Sequence, residues 1–240
     1  MSPDGLLDGE GLEPGLERTP TSIVVDTSGS MNATVADSDG NTRPRIAQVN
    51  DGLQLFKDEI ESMEEVKREV DVSIINFGGE VEVENDFMPI TDWEPPQLHA
   101  GGNTPMGDAI EKAIDLTRER KDAYKHENIP YKRPFIWVLT DGRPTDMDVG
   151  HEKWSRIQDK IASGEENKRF ALFIMTVGGD TDTETIRRLH PDRTVELKDG
   201  MFEEYFEFLS NSVQEVSGTA VGEEPDVDEA ASEVEEIFTM

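Results

Sequence analysis

The feature that most constrains this chain is a repeated exchange between two hydrophobic periods. Short, nearly continuous apolar runs alternate with longer stretches whose apolar residues recur every three to four positions. Ile23-Val24-Val25 is the first run, and it ends at Asp26. From Ile46, the residues Val49, Leu53, Phe56, Ile60 and Met63 form one helical stripe. Val70, Val72 and Ile74 then alternate, and Ile75 and Phe77 follow. Gly78-Gly79 turns the chain into a second strand through Val81 and Val83 toward Ile90, which is expected to run antiparallel. Met106, Ala109, Ile110, Ala113 and Ile114 make the next helical stripe. Residues 135–139 are continuously apolar, and 170–177 are interrupted only by Thr176, as strands covered on both faces are. Trp154, Ile157 and Ile161 predict a helix between those two strands. A short helix around Ile186 and Leu189, a strand at 194–197 and a closing helix through Phe202, Tyr205, Phe206, Leu209 and Val213 complete the pattern.

Strands alternating with amphipathic helices predict an α/β domain, a doubly wound and mostly parallel sheet with helices on both faces. Parallel strands all end on one edge, and ligands of such sheets bind there, where the strand order reverses. The residues just after each strand are therefore the ones to inspect.

A length of 240 residues suits one such domain. The expected division is a disordered acidic arm at 1–20, the domain at 21–216 and an acidic C-terminal tail at 217–240. The arm is rich in Gly, Pro and acids. The tail is acidic from Gly222 to Glu236 and carries Ile237 and Phe238 beyond, a pair that could dock elsewhere. No run approaches ~18 apolar residues, so no membrane span or membrane partner is expected. The first residues lack a basic start and an apolar core, which argues against a secretory signal. The chain has no cysteine, which removes disulfides, thiol catalysis and cysteine metal sites.

Lys and Arg number 23 against 53 Asp and Glu, for a net charge of −30. Such a chain repels polyphosphate, so no nucleic-acid partner is expected. The acids are spread along the whole chain, as in a protein working in high salt, where self-repulsion is screened. Attraction of basic partners or cations is the other reading. With this many carboxylates, an isolated Asp–Glu pair says nothing about catalysis.

Three segments at predicted strand ends or helix starts combine glycine with small oxygen-bearing side chains. They are Asp26-Thr27-Ser28-Gly29-Ser30-Met31, Gly101-Gly102-Asn103-Thr104-Pro105 and Thr140-Asp141-Gly142-Arg143. Each has a bland explanation. Asp141-Gly142 is a common turn, Thr104-Pro105 resembles a helix cap, and Asp26 to Ser30 could be a side-chain-capped turn. Their coincidence on one sheet edge weakens those explanations. Asp26, Ser28, Ser30, Thr104 and Asp141 supply only hard oxygen, which suits Mg²⁺, Mn²⁺ or Ca²⁺ and not zinc or copper.

In order and spacing, Asp26-x-Ser28-x-Ser30, Thr104 and Asp141 resemble the metal-ion-dependent adhesion site of von Willebrand factor A domains. The resemblance runs over about residues 21–216. The form of the three segments is similar to the stand-alone microbial cytoplasmic branch, including the tellurium-resistance-associated group. It implies a six-stranded sheet with one antiparallel edge strand and a divalent cation held directly by Ser28, Ser30 and Thr104. It implies that Asp26 and Asp141 act through water in some states, and that a partner protein's Glu or Asp completes the shell. The expected function is thus metal-dependent protein binding without catalysis, with Asn103, Arg143 and Asp146 at the rim. One departure is a polar insertion, residues 32–44, between the first motif and the first helix. Within it, Asp37 to Asn41 matches a calcium loop poorly.

The rival is a metal-dependent phosphoryl-transfer or hydrolytic enzyme on the same edge, with Asp146 or Asp108 as base. No Gly-Lys-Ser/Thr follows Gly101-Gly102, so the loop is not a P-loop. His99, His126, His151 and His190 lack ligand spacing and are expected at surface or loop positions.

Overall fold

A computed structural model describes residues 15–37, 39–178 and 182–218. Six strands form the main sheet: β1 (Thr19–Asp26), β4 (Val70–Gly78), β5 (Glu80–Pro89), β6 (Phe135–Thr140), β7 (Ala171–Val177) and β8 (Thr194–Leu197). Their order is β5-β4-β1-β6-β7-β8. Every neighbouring pair is parallel except β4 with β5, which is a hairpin turned at Gly79. The strand order therefore reverses beside β1, between β1 and β6, which is the position at which sheets of this kind bind ligands.

The helices are α1 (Arg45–Ser62), the short α2 (Val66–Glu69), α3 (Met106–Glu127), α4 (Glu152–Glu166), α5 (Thr183–Leu189) and α6 (Phe202–Gly218). Alternation along β1 sets the two cores. Ile23 and Val25 pack with α1 and α6 on one face. Val24 packs with α3, α4 and α5 on the other. Helix α3 stops where Asn128 takes a left-handed conformation (φ 56°) and closes hydrogen bonds to Lys125 and Tyr124.

The expected fold class holds, and two boundaries move. β1 begins at Thr19, inside the expected arm, and Arg18 before it is buried with its guanidinium near Asp71. A cation buried against a carboxylate anchors this stretch, so the domain starts before residue 21. At the other end α6 reaches Gly218, past the expected limit at 216. The rest of the arm (1–14) and of the tail (219–240) lies outside the described residues.

The insertion at 32–44 is built as a small hairpin, β2 (Thr34–Ala36) with β3 (Thr42–Pro44). Asp37 turns it by accepting a hydrogen bond from the Asn41 N–H at 2.7 Å and pairing with Arg43. That carboxylate serves the turn, which explains the residue without a calcium ion. His190, expected at a surface or loop position, lies in the loop after α5 but is buried, with Nε2 2.8 Å from Leu172 O.

Two buried charge clusters away from the carboxyl edge are structural. Asp71, at the amino end of β4, is buried and accepts from Arg120 at 2.6 Å and from the Tyr124 hydroxyl. Burial, then the Asp71 charge, pushes the Tyr124 hydroxyl well above its usual range, so it remains a donor.

Glu165 at the end of α4 forms a second node with Arg133 (2.6 Å), Arg193 and His190. Burial raises its pKa, but His190, the Leu172 N–H, Arg193 and Arg133 outweigh that and hold it below the ordinary value. A depressed carboxylate stabilises the fold above its unfolded pKa, and the gain disappears as pH falls through the folded value. Glu165→Gln is therefore expected to lower the melting temperature at neutral pH and to flatten its decline below about pH 4.5. Thermal melts across pH 2–7 check this, and parallel curves for both proteins would contradict it.

Candidate metal centre

The three predicted segments meet at the carboxyl edge beside the strand reversal. Backbone hydrogen bonds lock two of them together. Gly101 N–H donates to Thr27 O at 2.7 Å, Gly29 N–H to Gly102 O at 3.1 Å, and Gly79 N–H to Asn103 O at 2.8 Å. This approach requires glycine. Gly102 has φ +76°, and a Cβ there would stand 2.7 Å from the backbone of Gly78 and Gly79.

Asp26 ends β1 with no exposed surface. Its Oδ1 accepts from the Ser28 N–H at 2.8 Å, the side-chain-capped turn expected as the bland reading. Its Oδ2 accepts from Thr140 Oγ1 at 2.5 Å. Ser28 Oγ and Ser30 Oγ lie 2.9 Å apart, and Ser30 Oγ donates to Asp141 Oδ1 at 2.6 Å.

Thr104 does not cap α3. Asp146 does so from a distance, accepting from the N–H groups of Gly107 (3.1 Å) and Asp108 (2.9 Å). Thr104 is instead pinned through its backbone, with its N–H on Thr145 Oγ1 at 3.2 Å and its O on the Thr145 N–H at 2.9 Å. That leaves its hydroxyl for the site.

The convergence is visible at Gly142. A Cβ placed there would lie 3.3 Å from Thr104 Oγ1, 3.7 Å from Asp26 Oδ2 and 3.8 Å from Ser30 Oγ. Three oxygens from two loops thus face one point on the third, a cradle that a methyl group would fill. All five predicted ligand residues are brought together: four are buried, and Ser30 is exposed at the mouth. Burial pushes the Asp26 carboxyl up to about 6, against the pull of Thr140 and Ser28, and the nearby Asp141 charge adds to the rise. Negative charge here is under-compensated, as it would be where a cation belongs. The donor set, its convergence and its charge all fit a hard divalent cation.

Two participants were not foreseen. Arg45, the first residue of α1, is buried and donates Nη1 to Asp141 Oδ2 at 2.7 Å. The same guanidinium makes a bidentate pair with Asp199, at 2.7 and 2.6 Å. The hairpin insertion leads directly into this residue, and its Ala33 O accepts the Arg45 N–H at 2.9 Å. Asp141 is thus oriented from both sides, by Ser30 and by Arg45. The rim residues divide: Arg143 pairs with Asp148 at 3.1 Å, whereas Asp146 is committed to α3 and to Lys153 at 2.6 Å.

Gly142→Ala is a clean probe of the cradle. It is expected to abolish divalent-cation binding while shifting stability by about 1 kcal/mol or less. Mn²⁺ titration beside a thermal melt checks this, and unchanged affinity would contradict the convergence.

The sequence model of the von Willebrand factor type A domain matches residues 21–143, and the chain belongs to that family. A comparison with curated protein sequences finds no match. Among solved structures, a mutant PilB minor pilin from Streptococcus sanguinis is similar over 84% of this chain and 62% of its own, with 16% identity and a TM-score of 0.51. The conserved hypothetical protein BatB from Bacteroides thetaiotaomicron is similar over 84% of this chain and 100% of its own, with 14% identity and a TM-score of 0.50. The ArnB paralog VWA2 from Sulfolobus acidocaldarius is similar over 83% of this chain and 45% of its own, with 18% identity and a TM-score of 0.50. The chain therefore spans under two thirds of the pilin and under half of the archaeal protein. At such identities these likenesses establish the fold. Among the described residues no helix is long and apolar enough to cross a membrane.

Proposed function

We propose that this domain captures a protein partner through a divalent cation, Mg²⁺ or alternatively Mn²⁺ or Ca²⁺, held at the carboxyl edge. The observation that carries the proposal is the convergence of Thr104 Oγ1, Asp26 Oδ2 and Ser30 Oγ on one point. Ser28, Ser30 and Thr104 would hold the cation, and Asp26 and Asp141 would balance its charge. The bound cation would supply a Lewis-acidic position to an incoming carboxylate. The chain's own residues do the preparatory work. Thr140 and the Ser28 N–H fix Asp26, Arg45 and Ser30 fix Asp141, and Thr145 fixes Thr104. Little reorganisation is then left for the moment of binding. The partner would present a Glu or Asp on an otherwise neutral or basic patch, because a chain of this charge repels acidic surfaces. The likeness to the stand-alone microbial, tellurium-resistance-associated branch supports a cytoplasmic setting. The even spread of acids supports one of high salt.

The enzyme reading has less support. Its two candidate bases, Asp108 and Asp146, both pair with Lys153, at 2.7 and 2.6 Å. Affinity capture from native lysate with Mg²⁺, repeated with EDTA and with Thr104→Ala, tests the proposal. The expected result is a partner retained only by the metal-loaded native chain. Phosphatase or nucleotidase turnover that is lost in Asp26→Ala would overturn it in favour of the enzyme.

A further inference from the structure

One surface away from the metal edge carries more cations than anions. A groove of about 900 Å³ runs between α3 and α4, lined by six cationic side chains and four anionic ones. Across the whole chain anions outnumber cations 53 to 23, so the balance is locally inverted. The cations are Arg118, Lys121, Lys125, Arg156, Lys160 and Arg169. Arg118 and Lys125 pair with acids on their own helix, and Arg156 and Lys160 share Glu111. Lys121 Nζ donates to Arg169 O at 2.7 Å, and neither Lys121 nor Arg169 has a carboxylate partner among the described residues. Burial, then the charges of Lys125 and Arg169, hold Lys121 below the usual lysine range. Ile114 and Phe170 contribute apolar lining. Thr117, which also lines the groove, is 1% exposed, and its hydroxyl has no hydrogen-bond partner among the described residues.

The chain carries a segment of matching chemistry. Residues 219–240 hold eight acidic side chains and no basic one. Within them Ala230, Val234, Ile237 and Phe238 fall at the i, i+4, i+7, i+8 spacing of a helix that lays one face in a groove. The exit point suits it. Lys132 Nζ donates to Ser217 O near the end of α6, and the next residue, Arg133, donates to Phe170 O at 2.9 Å. The segment therefore leaves α6 at the end of the sheet where Phe170 enters the groove. Twenty-two residues reach up to about 70 Å when extended, ample to turn onto the opposite face.

We propose that the α3–α4 groove is the docking site of the chain's own acidic segment 219–240, with Val234, Ile237 and Phe238 against its apolar lining and the carboxylates against Lys121 and Arg169. This contact is separate from the metal edge and does not depend on it.

The test places a benzophenone amino acid at position 238 of the full-length chain and maps photo-crosslinks by mass spectrometry. The expected result is intramolecular crosslinks to α3 and α4. They should be lost in the double variant Lys121→Glu, Arg169→Glu, and also in Ile237→Asp, which leaves the described domain untouched. Crosslinks to another face, crosslinks found only in a dimer band, or groove crosslinks that survive both variants would overturn the proposal. A dimer band would assign the groove to a second copy.

Discussion

Thr104→Ala is expected to weaken Mg²⁺ or Mn²⁺ binding by on the order of 100-fold or more, because losing an outer partner of a metal ligand alone costs roughly 10- to 100-fold and this hydroxyl would touch the cation itself. Its hydroxyl does not cap α3, because Asp146 does, so the helix keeps its start. Its backbone bonds to Thr145 need no side chain. The variant should thus melt within about 1–2 kcal/mol of the native chain, the scale of one buried hydroxyl. Partner capture should disappear with the metal. A scaffold whose cation serves only folding would show the reverse pattern, with a depressed melting temperature and intact capture. Calorimetric titration beside a melting curve separates the two outcomes.

Asp71→Ala should be the most destabilising single substitution, at about 3–5 kcal/mol, because it strands buried cations without their counter-charge. Arg120 and Arg18 would both remain, at 7% and 1% exposure, with the Tyr124 hydroxyl also left without its acceptor. Against a total stability of roughly 5–15 kcal/mol, that is a large fraction. Urea denaturation measures the loss. Asp71 sits at the amino end of β4, across the sheet from the metal edge, so the fraction still folded should bind metal normally. A loss below about 1 kcal/mol would show that the cluster does not anchor the domain.

These two ends of the sheet differ in how much of them could be read from the chain. Strand and helix periods located the six strands of the main sheet and every helix but the short α2, because the apolar runs at β6 and β7 and the stripes of α1, α3 and α6 are long and regular; the strands β2 and β3 were not foreseen. The five oxygen-bearing candidate residues were legible because each lies in a short glycine-containing segment at a strand end or before a helix. Arg45 was not. Its partners lie 96 and 154 positions away, and no local pattern reports such a pairing. One signal existed: a cation in the first turn of a helix opposes the helix dipole and needs a reason to be there. Arg18 gave a similar hint, as the single basic residue of the first twenty. It is fixed by Asp71, 53 positions on, which no arm-like composition could reveal. The hairpin at 32–44 was readable as an insertion but not as the support of Arg45, since polar loops carry no period.

The most direct measurement is an anomalous-scattering map from crystals of the intact chain grown with Mn²⁺. A single strong peak within bonding distance of the Ser28, Ser30 and Thr104 hydroxyl oxygens is predicted. A map with no peak there, or with manganese bound only elsewhere on the acidic surface, would contradict the account.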